Sequence, residues 1–216
     1  MNKYRISLIV YDFDGTLVDT LFDIADAVNL TLNELGLRAL SRETIRTYVG
    51  KGVEKLMDQA ISGTGCVDLA LAVELFRKHY SKNLINQTNF YPSGREILEH
   101  FCDKKQAICS NKPEEFVRHI LASLGSLDFF DAILGGDSLK SKKPDPEGLL
   151  YLLDRFQCSS EQTLLVGDSL VDLEAGKAAG VFTCIVNYGF GDPEEIALAK
   201  PDCSIDDLSE LKELFY

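Results

Sequence analysis

Basic residues are scarce in this chain: 22 lysines and arginines face 34 aspartates and glutamates, a formal net charge of −12. That imbalance excludes a nucleic-acid backbone or an anionic membrane as the main partner. No apolar run approaches the length of a membrane span, and Met1-Asn-Lys-Tyr-Arg-Ile6 leads straight into a short apolar strand rather than a secretory leader, so the cytoplasm is the expected compartment. The six cysteines, Cys66, Cys102, Cys109, Cys158, Cys184 and Cys203, form no C-x-x-C pair. They read as free buried thiols in a reducing compartment rather than as a zinc or redox site. There is no internal repeat and no low-complexity segment. Histidine is rare, three in 216 residues, and a lone ring such as His79 is left out of the expected site, as are the weaker candidates Arg46 and Lys82. At 45% hydrophobic content the chain has enough apolar material for one large domain or two small ones.

What is present is chemically specific. Ser7-Leu8-Ile9-Val10 reads as a buried strand, and Asp12-Phe13-Asp14-Gly15-Thr16-Leu17 follows it. Acid-x-acid at a strand end puts both carboxylates on one face. Their repulsion raises a pKa unless a cation or a reacting phosphate compensates, which points to a divalent metal with a carboxylate nucleophile. Gly15 lets the chain turn close to a ligand, and the Thr16 hydroxyl sits beside backbone N–H groups suited to phosphate oxygens. Alone, D-x-D-G also occurs in calcium loops and surface turns.

Three further apolar runs end in polar residues: Gln106 to Asn111, Thr163 to Asp168 and Ala132 to Asp137. Between them Pro113 to Leu124, Asp145 to Phe156 and Leu170 to Ala179 carry helical period. Strand and helix in alternation predict an α/β fold, a parallel sheet covered on both faces. Ligands of such sheets sit outside the carboxyl ends of the strands. Asp12, Asp14, Ser110, Lys143, Asp168 and Asp172 would converge there. By contrast, about 18–88 shows only helical patterns, as in Leu21 to Leu35 and Val67 to Asn83, and reads as an all-helical insertion after the first strand. Tyr91-Pro-Ser-Gly94 restarts the alternation, and the tail reads as an edge strand followed by a helix capped near Asp206.

Taken in order, these motifs resemble the haloacid dehalogenase superfamily of aspartate-nucleophile phosphatases over nearly the whole chain. Asp12-Phe-Asp14-Gly-Thr16 is similar to the first motif, Ser110-Asn111-Lys112 to the second, Lys143-Pro144 to the third and Gly167-Asp168-Ser169 with Asp172 to the fourth. Tyr48-Val-Gly-Lys-Gly52, Gly135-Gly-Asp-Ser138, Lys143 to Leu150, Gly180-Val and Asn187-Tyr-Gly189 look most like its phosphoglycolate phosphatase group. Gly176 departs from expectation, since a better helix former belongs inside Leu170 to Ala179. The resemblance implies a doubly wound, Rossmann-like core of residues 1–17 and 89–216 under a small helical cap of residues 18–88, joined by two hinge linkers.

It also implies roles. Asp12 would be the nucleophile and form an aspartyl phosphate; Asp14 would protonate the leaving alcohol and then activate water. Magnesium suits hard oxygen ligands, with Asp12, the Asp14 carbonyl and Asp168 as the expected set, and Asp172 holding a metal water or Lys143. Asp168 and Asp172 can also be read as acids favouring a helix N-terminus, and Ser169 as its N-cap. Ser110 and Lys143 would bind the transferring phosphoryl group, with Asn111 beside them; Pro144 singles out Lys143 over Lys142 by restraining its predecessor. Lys112 is expected to face solvent. In the cap, Lys51 between Gly50 and Gly52 would recognise the carboxylate of 2-phosphoglycolate, the leading substrate. A beta-phosphoglucomutase-like mutase, a pyrophosphatase or a nucleotidase would fit the same core, and a non-catalytic phospho-receiver is the competing class. The expected partner is a small phosphorylated metabolite, and the expected assembly a monomer or homodimer.

Overall fold

A computed structural model describes residues 4–65 and 67–216; Met1 to Lys3 and Cys66 lie outside the described residues. Six parallel strands form the central sheet: β1 (Leu8–Tyr11), β4 (Lys105–Cys109), β5 (Ala132–Leu134), β6 (Thr163–Gly167), β7 (Phe182–Val186) and β8 (Cys203–Ile205), in the order β5-β4-β1-β6-β7-β8. Strand order reverses on either side of β1. The ends of β1, β4 and β6 therefore open side by side into one crevice.

Alternation along each strand builds two cores. Ile9 and Tyr11 point to one face and join residues of α5 (Gly94–His100), α6 (Glu114–Ser123) and α10 (Leu211–Leu214). Leu8 and Val10 point to the other face, with Leu149 and Leu152 of α7 (Glu147–Phe156) and Ala175 and Ala179 of α8 (Leu170–Ala179). The sheet is thus covered on both sides, as the alternating sequence requires. Strand β7 has no counterpart among the sequence-predicted strands, although Phe182-Thr-Cys-Ile-Val186 is short, apolar and β-branched.

Gly176 has a reason that helix propensity does not see. A Cβ there would come within 2.4 Å of Thr183 Cγ2 and 3.1 Å of Leu165 Cδ2, so α8 sits too close to the sheet for any other residue. At the tail, the cap is Asp207 rather than Asp206: its side chain accepts from Ser209 N–H at the start of a short 3-10 turn, Leu208–Glu210, that runs into α10.

Between β1 and β4 the chain makes a second, two-stranded antiparallel ribbon of β2 (Val18–Asp19) and β3 (Asn89–Phe90), and among the described residues the elements between these strands are all helices: α1 (Leu21–Glu34), α2 (Arg42–Arg46), α3 (Val53–Ala60) and α4 (Leu69–Tyr80). Helix α1 packs on α2, α3 and α4 through a face that includes Ile24, Val28 and Leu32. One acid holds the two ends of this segment together. Buried Asp23, in the first turn of α1, accepts from the backbone N–H groups of Gln87 (3.0 Å) and Thr88 (2.9 Å), giving the returning chain partners it would otherwise lack. No helix among the described residues is long and apolar enough to cross a membrane. The five described cysteines are all unbridged; Cys102, however, is exposed rather than buried.

Candidate active site

Each strand of the crevice delivers its polar residue at its last step. Asp12 directly follows β1, with its N–H donating to Val166 O of β6 at 2.8 Å, so its side chain is aimed by the ladder itself. Phe13 is fully buried behind it, and Gly15 takes φ +83°, a turn that L side chains rarely adopt. Space demands glycine there as well: a Cβ on Gly15 would lie 2.4 Å from Asp168 Oδ2. Asp168 follows β6. Phe190 N–H donates to its Oδ2 at 2.5 Å and Thr16 Oγ1 to its Oδ1 at 3.4 Å. The fully buried Thr16 hydroxyl is thus turned to Asp168.

Asp172 and Ser169 organise the start of α8. Ser169 occupies the N-cap position, and its N–H and hydroxyl both donate to Asp172 Oδ2, at 3.1 and 2.7 Å. Lys143 closes the constellation: its ammonium donates to Asp172 Oδ1 at 2.6 Å and ion-pairs with Asp12 Oδ1 at 2.9 Å. Apart from this ion pair, Asp12 Oδ1 is a buried oxygen with no hydrogen-bond partner among the described residues. Lys142, by contrast, is partly exposed and lies 3.6 Å from Glu54.

Asp12, Asp168 and Asp172 each offer a carboxylate oxygen within 4.8 Å of the other two, and all three are buried. Burial pushes the Asp12 carboxyl up to about 6, with Lys143 pulling against it and Asp172 adding to it. Asp168 is raised well above the usual carboxylate range, first by burial, then by the charges of Asp172 and Asp12. The same two acids hold Lys143 protonated far above its ordinary value against burial. One lysine among three acids leaves an electrostatic deficit. With three buried carboxylates converging and the donors all hard oxygens, the residues fit a small divalent cation. The expected metal set overlaps this cluster at Asp12 and Asp168.

Asp14 lies apart from the cluster, half-buried. Its Oδ1 accepts from Thr20 Oγ1 (2.6 Å), at the N-cap of α1, and from Lys112 Nζ (2.9 Å). Here the sequence expectation fails: Lys112 does not face solvent. Its side chain is 4% exposed and also donates to Tyr80 Oη at 2.7 Å, at the end of α4. Burial lowers its pKa while Asp14 works to raise it. Tyr80, whose ring and hydroxyl both meet the ammonium, lies on a helix 32 positions earlier, so no local pattern around Ser110-Asn111-Lys112 announces the contact.

Ser110 and Asn111 follow β4. Ser110 is buried beside Asp12 and Asp14, while Asn111 Nδ2 donates to two carbonyls at 2.9 Å, those of Gly50 and Lys143. Asn111 therefore ties the Gly50-Lys51-Gly52 loop to the Lys143 loop. Two openings meet at this point. A small inner cavity is walled by Asp12, Asp14, Ser110 and Lys112 on the sheet side and by Val49, Val53, Leu56, Phe76 and Tyr80 on the helical side. A wide outer groove runs past Lys143 and Asp168 and carries Arg46, Lys51, Lys55 and Lys142. Lys51 is exposed in this groove and does not line the inner cavity. Arg46 donates to Gly189 O, and His79 pairs with Glu34 on the surface at 2.7 Å.

Residues 9–186 match the family model described as haloacid dehalogenase-like hydrolase. The chain belongs to the haloacid dehalogenase-like hydrolases, and it is a phosphatase. It is similar to the phosphoglycolate phosphatase of Nitrosospira multiformis, at 39% identity over 97% of this chain and 95% of that one. It is also similar to the phosphoglycolate phosphatase of Vibrio parahaemolyticus, at 36% identity over 99% and 98%. Among solved structures, a predicted phosphoglycolate phosphatase from Haemophilus somnus superposes with a TM-score of 0.90 at 32% identity, over 96% of this chain and 97% of the other.

Proposed function

We propose that this phosphatase hydrolyses the monoester of a small phosphorylated metabolite, 2-phosphoglycolate foremost, with Asp12 as nucleophile and magnesium as cofactor. The observation that carries the reading is Asp12 itself: a buried carboxylate at the end of the central strand, with an oxygen whose one partner is the Lys143 ammonium, walling the same cavity as Asp14. The names of the similar proteins support phosphoglycolate as the substrate.

In this reading an Asp12 oxygen attacks phosphorus while the bond to the leaving oxygen breaks, and Asp14 gives that oxygen its proton. Asp14 then takes a proton from water as the water attacks the aspartyl phosphate. The bond from phosphorus to Asp12 breaks, releasing inorganic phosphate and restoring both acids. Asp12, Asp168 and the Asp14 carbonyl would hold the magnesium, which supplies neutralisation of the phosphoryl oxygens as the nucleophilic anion approaches. Lys143 and Ser110 would hold the transferring group, with Asn111 fixing their loops. Thr16 and Asp172 would orient Asp168 and Lys143 respectively. Residues 18–88 act as a cap over a core of residues 1–17 and 89–216, and Lys51 draws anions into the groove. The enzyme works in the cytoplasm as a monomer or homodimer, without nucleic acid.

Turnover of a panel of phosphorylated metabolites at fixed magnesium tests this directly. Phosphoglycolate should give the highest kcat/KM. Isomerisation of a sugar phosphate without net phosphate release would instead assign a mutase, and preference for pyrophosphate or nucleotides would move the substrate class.

A further inference from the structure

We propose that Lys112 is the residue that reads the second anionic group of the substrate, a carboxylate, and that it exchanges its resting ion pair with Asp14 for that group when the substrate binds. This rests on the phosphatase reading above and names the specificity determinant of the same site.

Three observations converge. First, Lys112 is the only lysine or arginine among the described residues lining the inner cavity. Much of the opposite wall is apolar, contributed by Val49, Val53, Leu56 and Phe76. A carboxylate entering such a space without a cation would forfeit its hydration for nothing. At Lys112 it meets a charge-assisted donor in surroundings that screen little.

Second, the two buried lysines of the site differ in how fully they are neutralised. Lys143 has two carboxylates against its ammonium, Asp12 and Asp172. Lys112 has one carboxylate, Asp14, and the neutral phenol of Tyr80. The spare electrostatic capacity of the inner cavity is therefore at Lys112.

Third, the carboxylate that Lys112 holds is the one that must be released for proton transfer. Asp14 Oδ1 accepts from Lys112 and Thr20 together. An arriving substrate carboxylate can replace Asp14 at the ammonium, so that Lys112 keeps one carboxylate against it throughout, while Asp14 retains the Thr20 hydroxyl. A phosphomonoester lacking the carboxylate makes no such replacement, so Asp14 stays engaged. Lys51, exposed in the outer groove, sees the substrate through water and is screened.

The test compares phosphoglycolate with ethyl phosphate, which has the same two carbons and no carboxylate, on the full-length enzyme and on Lys112→Met. Both substrates should lose some rate, because Asp14 loses a hydrogen bond. Beyond that common loss, kcat/KM for phosphoglycolate should fall by a further tenfold to a hundredfold or so, mostly through KM, the range a charge-assisted hydrogen bond covers. Lys112→Arg should recover part of the preference. Should Lys112→Met fail to fold by circular dichroism, Lys112→Gln carries the same comparison with a hydrogen bond to Tyr80 retained. Equal losses on the two substrates overturn the proposal and leave Lys112 as a positioning residue for Asp14. Wild-type enzyme that cleaves both substrates with no carboxylate preference overturns it as well, while wild-type enzyme that cleaves neither overturns the phosphatase reading first.

Discussion

The sheet side and the helical side of the inner cavity bring opposite materials to it. From the strand ends come Asp12, Asp14, Ser110 and Lys112, with Lys143, Asp168 and Asp172 clustered beside them. The helical segment contributes Val53, Leu56 and Phe76 from its helices and Val49 from the turn before α3, with the Tyr80 hydroxyl as a polar exception. Charge held by rigid strands and apolar cover laid on by the helical segment would divide the labour of the proposed reaction: one side to fix the reacting groups, the other to remove water and shape what fits.

If that division is right, changes at the strand ends should cost catalysis on every substrate. The largest effect belongs to Asp12→Asn, which would remove the proposed nucleophile at constant volume. Turnover should fall by about 10,000-fold or more with an unchanged circular dichroism spectrum. Retention of a tenth of wild-type rate would take the chemistry away from β1. Next comes Asp14→Asn, costing roughly 100- to 10,000-fold. Quenched-flow labelling with a substrate whose leaving group needs no proton should accumulate phosphoprotein. If no label is trapped, Asp14 does not serve water attack.

Smaller still is Gly176→Ala. Helix propensity alone would make the variant more stable by about 1 kcal/mol. Contact at 2.4 Å with Thr183 Cγ2 reverses the sign, and overpacking of this kind costs about 1 to 3 kcal/mol. A denaturant midpoint that moves down supports the tight helix-to-sheet seam, and one that moves up refutes it. The smallest change is expected from Lys51→Ala on the helical side. An exposed charge contact contributes at most about 1 kcal/mol, so kcat/KM for phosphoglycolate should drop by no more than about fivefold. A larger and substrate-selective loss would shift anion recognition from the inner cavity to the outer groove.

The strand-end half of this comparison is legible in the sequence because each of its pieces is local. An apolar run followed by an acid or serine states both the strand and the direction in which the polar side chain leaves it, as at Asp12, Ser110 and Asp168. What is not local is not legible. Lys112 reads as a solvent-facing residue until Tyr80 is brought over it, and Gly176 reads as a weak point until Thr183 is seen beneath it. Asp23 looks like an ordinary acid on a polar helix face. Its partners Gln87 and Thr88 are more than sixty positions away, and no periodicity connects them. Strand β7 ends without a charged motif residue and so lacks the punctuation that marks the others.

The ribbon of β2 and β3 has a consequence for how such an enzyme changes its diet. Val18 and Asp19 lie directly opposite Phe90 and Asn89, a separation of about 5 Å between paired residues in an antiparallel ladder. The helical segment thus leaves and re-enters the rest of the chain through almost a single point, as an inserted module does, and a two-residue turn could bridge the gap in its place. A lineage can lengthen, trade or rebuild that module without asking any strand of the sheet to move. Because Asp12 precedes the gap and Asp168 lies far beyond it, the chemistry proposed for the strand ends would be inherited intact while the choice of ester is rewritten.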